Sequence, residues 1–346
     1  MSHKFNHIWK LADGFPAKGI KPNNCKVFGT FVCGGGSTMG YKLAGYEHLG
    51  GVEIDPKVAE IYKRNLNPKY LFVNDIRDFN KMDLPDELYN LDILDGSPPC
   101  SAFSMAGKRE KVWGKEKQFA EGQKKQTLDD LVFVYCDTIK KLMPKVCLLE
   151  NVGGLIRGNG KAYAKQIVSK LKNIGYTSQV FLLNGATMGV PQTRERVFII
   201  GYKKEYQLPK LKLDFNEPPI LFGKIIDRST TIGKLTDVQL DLWKKQKTND
   251  FTLADVRGTA NGFTDYLVSS NRVCNTITAN GKYFCKEFPR WFTQEEFCKC
   301  GTFPLDYKFD ERGSQWYIGM SVPPVMTAQI ALQIYEQWLS KIKEDG

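Results

Sequence analysis

From Lys26 to Gly201 the chain alternates between short β-branched and aromatic runs and longer stretches of helical periodicity. This alternation limits the fold more than any other feature. The strand-like runs are 26–33, 49–55, 70–73, 91–95, 146–149, 179–183 and 196–201. Between them, Ser37 caps an expected helix through about Leu43. Pro56 opens a second, with Val58, Ile61 and Tyr62 on its apolar face, and further helices are expected over 128–143 and near 161–174. Strands joined by helical crossovers pair in parallel, so the expected fold class is α/β, a mainly parallel doubly wound sheet. Ligands of such sheets bind beyond the carboxyl ends of the strands. After Tyr202 the alternation stops. Residues 204–310 are mixed, basic and turn-rich, with β-like runs such as Asn275–Thr278, and read as a second, smaller domain. A helix from Val325 through Leu339 follows Pro323-Pro324 and is expected to pack back onto the first domain. The main domain is therefore 1–203, completed by 311–346.

The 346 residues carry a formal charge of +11, which favours a polyanionic partner, most simply nucleic acid. No run approaches a membrane span, and Met1-Ser2-His3-Lys4-Phe5 has no signal-like apolar core, so a cytoplasmic location and no membrane partner are expected. Nine cysteines form no even framework. Cys298 and Cys300 are two apart, the wrong spacing for a metal pair, and His3, His7 and His48 lie far from them. No metal site and no disulfide scaffold are expected.

The chemistry gathers at the strand ends. Leu91–Gly96 is an apolar-acidic run ending in Ser97-Pro98-Pro99-Cys100. A thiol on a stiff turn at such an edge is a candidate nucleophile; the competing reading is a proline turn before a buried cysteine. Phe31-Val32-Cys33-Gly34-Gly35-Gly36 nearly fits the dinucleotide fingerprint, but Met39 takes the third glycine position, and no Walker lysine appears. The loop therefore need not cradle phosphates. Glu53, ending the second strand, is placed to accept two ribose hydroxyls, and Asp75, after the third, to accept from an adenine amino group. Either acid alone also reads as a surface or cap carboxylate. Together they suggest a nucleoside ligand without phosphates, S-adenosylmethionine. Glu150 ends the fifth strand, as a candidate proton carrier or an N-cap acid. In Gln192-Thr193-Arg194-Glu195-Arg196 two arginines alternate onto one strand face. They read as a clamp on a carbonyl and a catalytic carboxylate, or as partners of Glu195.

These pieces resemble the DNA cytosine-5 methyltransferases. The matching segments are the Phe31–Gly36 turn, Val52-Glu53-Ile54-Asp55, Asp75, Pro99-Cys100, Glu150-Asn151-Val152 and Gln192-x-Arg194-x-Arg196. Near the C-terminus follow Arg290-x-x-Thr293-x-x-Glu296, Thr302-Phe303-Pro304 and Gly319-Met320-Ser321-Val322-Pro323-Pro324. Their order spans almost the whole chain. Three positions depart from the family's pattern: Cys33 stands for a glycine, Ser101 for the usual glutamine, and Met320 for asparagine.

The resemblance implies a Rossmann-like S-adenosylmethionine-dependent methyltransferase fold with a target-recognition domain in 204–310. It implies Cys100 as the nucleophile that attacks C6 of a flipped-out cytosine, Glu150 at N3, and Arg194 or Arg196 on the O2 side. Cofactor contacts would come from Phe31, Gly34, Gly35, Gly36, Glu53, Ile54, Asp75, Ile76, Pro98, Ser321 and Val322. Duplex DNA would meet Ser101, Ser104, Lys108, Arg109, Lys124, Lys125, Gln192 and Arg272. The basic stretch 107–126 reads either as a solvated loop or as a lid over the flipped base. A monomeric bacterial or phage-encoded, nucleoid-associated enzyme is implied, with a cognate restriction endonuclease as a partner. The rivals are a transfer-RNA cytosine methyltransferase of the same architecture and an inactive nucleic-acid-binding relative.

Overall fold

The computed structural model describes residues 3–99 and 131–342, except 159, 232, 234, 260, 261 and 263. The chain divides into two compact units, one of 16–183, 195–214 and 330–346, the other of 1–15, 184–194 and 215–329. These are units of compactness. The division by role expected from sequence, at 204 and 310, is a different partition and does not follow these bounds.

The first unit is built on a seven-stranded sheet. Its strands are β1 (Lys26–Thr30), β2 (Glu47–Glu53), β3 (Tyr70–Val73), β4 (Ile93–Gly96), β5 (Val146–Val152), β6 (Tyr176–Asn184) and β8 (Glu195–Lys203); the short β7 (Gln192–Thr193) lies outside it. The order is β3-β2-β1-β4-β5-β8-β6. Chain order runs outward from β1 to β3 on one side and from β4 to β5 on the other, so the switch point falls between β1 and β4, where such folds bind ligands. Register aligns the strand ends. Thr30 pairs with both Val52 and Gly96, Glu53 with Val73, and Gly96 with Leu149. Strand β5 runs three residues past that line, which carries Glu150 beyond the edge. Strand β8 is antiparallel to β5, with Val152 opposite Arg196, so its first residues meet the carboxyl end of β5.

Local sequence explains the elements. Asp55 caps the helix Pro56–Leu66, accepting from the N–H groups of Lys57 (2.9 Å) and Val58 (3.3 Å), while Val58, Ile61 and Tyr62 are buried. The helix Leu131–Leu142 buries Val132, Tyr135, Cys136, Ile139 and Leu142, positions that share one helical face, and they join Phe28, Leu94, Leu149, Val197 and Ile199 in the core. The Tyr135 hydroxyl lies 2.8 Å from the Leu94 carbonyl and 2.7 Å from that of Leu148, bridging β4 and β5. Its ring fills the space a side chain at Gly96 would need.

The second unit carries a three-stranded sheet of β9 (Asp265–Val268), β11 (Lys282–Cys285) and β12 (Arg290–Trp291), ordered β12-β11-β9. Strand β10 (Cys274–Asn275) pairs in parallel with β7. Leu242, Leu253, Leu267 and Phe284 form one small hydrophobic cluster in it. Arg290 and Glu296 make a buried bidentate pair at 2.7 and 2.8 Å. Glu296 also accepts from the N–H groups of Thr293 and Asp227, both at 2.8 Å, so the pair ties β12 to the helix Gln294–Gly301. The last long helix, Pro324–Gln337, matches the expected C-terminal helix, and its Ala331 carbonyl accepts from the Tyr46 hydroxyl at 2.8 Å.

Candidate active site

Strand β1 stops three residues earlier than the sequence suggested. Phe31 and Cys33 take positive φ angles of 57° and 45°, which no strand accommodates. Gly35, at φ 73°, rather than Ser37, precedes the helix Gly36–Leu43; a Cβ there would sit 2.2 Å from Leu66 Cδ1. Gly34, Gly35 and Gly36 are buried. The turn is clamped by Glu53. One carboxylate oxygen accepts from Cys33 N at 2.9 Å, the other from Ile54 N at 2.9 Å and Asp55 N at 3.0 Å. Burial raises the Glu53 carboxyl, and these three N–H groups pull the other way. Asp75 realises its cap reading: it accepts from Arg77 N at 2.8 Å, pairs with the Arg77 guanidinium at 3.2 Å, and opens the short helix Ile76–Phe79. Ile76 is buried and Ile54 half-buried.

Strand β4 delivers Asp95, Gly96, Ser97, Pro98 and Pro99. Cys100, Ser101, Ser104, Lys108, Arg109, Lys124 and Lys125 lie outside the described residues, as does the whole stretch 107–126. The proline turn is tied to β5, where Asn151 Nδ2 donates to the Pro98 carbonyl at 3.1 Å. Beside that tie, Glu150 meets Arg196 Nε at 3.0 Å; their side chains are 11 % and 14 % exposed. Arg196 also donates to the Glu195 carbonyl at 2.8 Å. Burial lowers the Arg196 guanidinium, and Glu150 opposes that shift. Glu195 turns away to Arg157 at 2.6 Å.

The structure brings Arg196 and Glu150 together and leaves Arg194 elsewhere, which corrects the expectation of two arginines on one strand face. The chain leaves β7 at Thr193 and re-enters a strand only at Glu195, so the alternation does not cross Arg194. Arg194 is 2 % exposed and donates to the carbonyls of Ile277 (2.8 Å), Gly319 (3.0 Å) and Ser321 (2.8 Å) in its own unit. Gln192 was expected at DNA. It is fully buried, donating to the Cys300 carbonyl at 2.8 Å and accepting from Ile277 N at 3.0 Å. Ser321 and Val322 are buried in that same unit. Arg272 is exposed, its guanidinium 3.9 Å above the Phe251 ring.

Sequence reasoning passed over Asp95. It is 4 % exposed and accepts from the Tyr41 hydroxyl at 3.3 Å. Burial first, then the charge of Glu150, push its carboxyl up to about 7, against hydrogen bonds from Tyr41 and Ser37. The signal was an acid inside the buried run Ile93-Leu94-Asp95-Gly96, which read only as the end of a strand. Among the described residues no cluster of His, Cys, Asp and Glu is arranged to hold a metal ion, and no helix is long and apolar enough to cross a membrane.

The chain is similar to known proteins. The profile of the C-5 cytosine-specific DNA methylases matches residues 25–336. The Type II methyltransferase M1.HphI of Haemophilus parahaemolyticus is 27% identical over 328 residues, 87% of this chain and 84% of that one. M.NgoPII of Neisseria gonorrhoeae is 27% identical over 314 residues, covering 89% and 85%. In fold, the chain is similar to an E. coli prophage protein described as a DNA modification methyltransferase, with a TM-score of 0.67, 18% identity, and coverage of 92% of this chain and 100% of that one.

Proposed function

The chain belongs to the C-5 cytosine-specific DNA methylase family, and on that premise we propose that it methylates a flipped-out cytosine in a specific duplex sequence through a covalent Cys100–C6 adduct. The observation that carries this reading is the Glu150–Arg196 pair beside the Pro98 turn.

S-adenosylmethionine suits the donor set on the first unit. Glu53 is a buried carboxylate with three backbone donors, and a carboxylate has about four acceptor sites, so one remains for a sugar hydroxyl. The left-handed residues 31 and 33 and the buried glycines bring backbone close, and the turn offers no lysine for phosphates. When bound, this donor supplies an electrophilic sulfonium methyl. Glu53 would orient the ribose, with Phe31, Gly34–Gly36, Ile54, Asp75, Ile76 and Pro98 around the nucleoside; Ser321 and Val322 are also proposed as cofactor contacts.

In this reading the Cys100 thiolate adds to C6, and the ring's electrons move toward C5. Glu150 holds a proton at N3 and so stabilises the enamine. Arg196 keeps Glu150 in place and supports the O2 side; Arg194 acts at a distance, by fixing the backbone of 277, 319 and 321. C5, made electron-rich by that addition, is then placed to accept the methyl that the bound donor would supply. A base then removes the C5 proton, the C6–S bond breaks, and the Cys100 thiolate returns.

Residues 204–310 are proposed to read the target, with Arg272 among the DNA contacts, and 107–126 to touch phosphates. The relatives are Type II methyltransferases, which supports a nuclease partner sharing the same site. Mapping 5-methylcytosine in DNA from cells expressing the chain tests the reading. Methylation at one short sequence, abolished by Cys100→Ala, is the expected outcome, and unmethylated DNA or an active Cys100→Ala overturns it.

A further inference from the structure

The end of β4 carries a second carboxyl that the mechanism above leaves unused. Asp95 lies opposite Leu148 in the parallel β4/β5 pair. Side chains alternate along a strand, so Leu148 and Glu150 share a face, and Asp95 and Glu150 are diagonal neighbours on it. The groups around Asp95 come from every adjacent element. Ser37 and Tyr41 reach it from the helix Gly36–Leu43, which opens directly behind the glycine turn. Tyr62 and Tyr135 approach from two further helices. The Thr30 hydroxyl, at the end of β1, holds its carbonyl at 3.2 Å. Glu150 faces it from β5, and Arg196 is paired with Glu150.

Building on the methyl-transfer reading, we propose that Asp95 is a positioning residue for the reaction: it links the helix behind the cofactor turn to Glu150 and sets the charge that Glu150 faces. Two carboxylates that are diagonal neighbours in a buried site resist being ionised together. Burial, then the charge of Glu150, push the Asp95 carboxyl up to about 7. Ionised Asp95 constrains the Glu150–N3 contact by placing a like charge beside it. Neutral Asp95 releases that constraint.

The test has two arms. Infrared titration of the DNA-free protein, with aspartate carboxyls labelled by 13C, reads any aspartate that titrates near neutrality. A band with a midpoint of about 7 is expected. In Glu150→Gln the midpoint should fall by roughly one unit, the scale of a lost like-charge neighbour. The second arm is the pH profile of single-turnover methyl transfer. Asp95→Asn should move the alkaline limb to lower pH; a merely structural role would lower the rate evenly at all pH values. No aspartate titrating above pH 5, a midpoint indifferent to Glu150→Gln, or a uniform rate loss each overturns the proposal. The infrared arm needs neither DNA nor turnover, and it reads wild type and Glu150→Gln even if Asp95→Asn does not fold. A failure of the methyl-transfer reading is therefore separable from a failure of this one.

Discussion

Two arginine–glutamate pairs, one in each unit, have the same chemistry and opposite designs. Arg290–Glu296 is sealed, with side chains 1 % and 0 % exposed. Glu296 receives two guanidinium and two backbone donors, and Arg290 also gives hydrogen bonds to the carbonyls of Asp227, Thr230 and Trp291. Arg196–Glu150 sits at a strand end, partly open, with a second carboxyl beside it. A saturated pair can only hold a fold together. An open, charge-crowded pair costs stability and retains capacity for a ligand. Position in the sheet produces the difference: β5 overruns its neighbour, whereas Arg290 and Glu296 are enclosed where β12 turns into a capped helix.

The comparison breaks first if Glu150→Gln leaves the rate intact. We expect a fall of about 10²–10⁴ in single-turnover rate, the range for loss of a proton-handling group. Its loss of stability should be smaller than that of Glu296→Gln. For Glu296→Gln the expected cost is about 3–5 kcal/mol in urea unfolding, because a fully buried guanidinium loses its counter-charge.

A smaller effect sharpens the contrast. The folded-state pKa of Asp95 is raised, so the native state binds a proton more readily than the unfolded chain. Stability is then lost as pH rises from the ordinary carboxyl range, 3.8, through about 7. Asp95→Asn should therefore melt above wild type at pH 8 and level with it at pH 4, as calorimetry would show. An equal offset at both values would remove charge crowding as the cause. The smallest effect is at Cys33, whose left-handed φ of 45° penalises a Cβ. Cys33→Gly should gain about 1 kcal/mol or less, since glycine relieves the strain while its added chain entropy in the unfolded state offsets part of that gain.

What the sequence disclosed was local. Tyr70–Val73 is the strand expected, Asp55-Pro56 begins the expected helix, and the acids at 53, 75 and 150 stand at strand ends. What it concealed depends on partners far along the chain. Arg194 and Arg196 look equivalent at spacing two until the strand is seen to break between 193 and 195. Gln192 is claimed by Ile277 and Cys300, residues that no short-range pattern links to it. Asp95 acquires its character from Tyr41 and Glu150, each more than fifty positions away. The second unit is assembled from 1–15, 184–194 and 215–329, a set of segments that composition alone does not join.

The clamp on Glu53 has an evolutionary consequence. Its three donors are main-chain amides of residues 33, 54 and 55, so almost any codon at those positions supplies the same hydrogen bond. Only proline withdraws one. The orientation of this carboxylate is thus insulated from drift in the surrounding side chains. The cysteine at 33 adds local strain and leaves the grip itself intact.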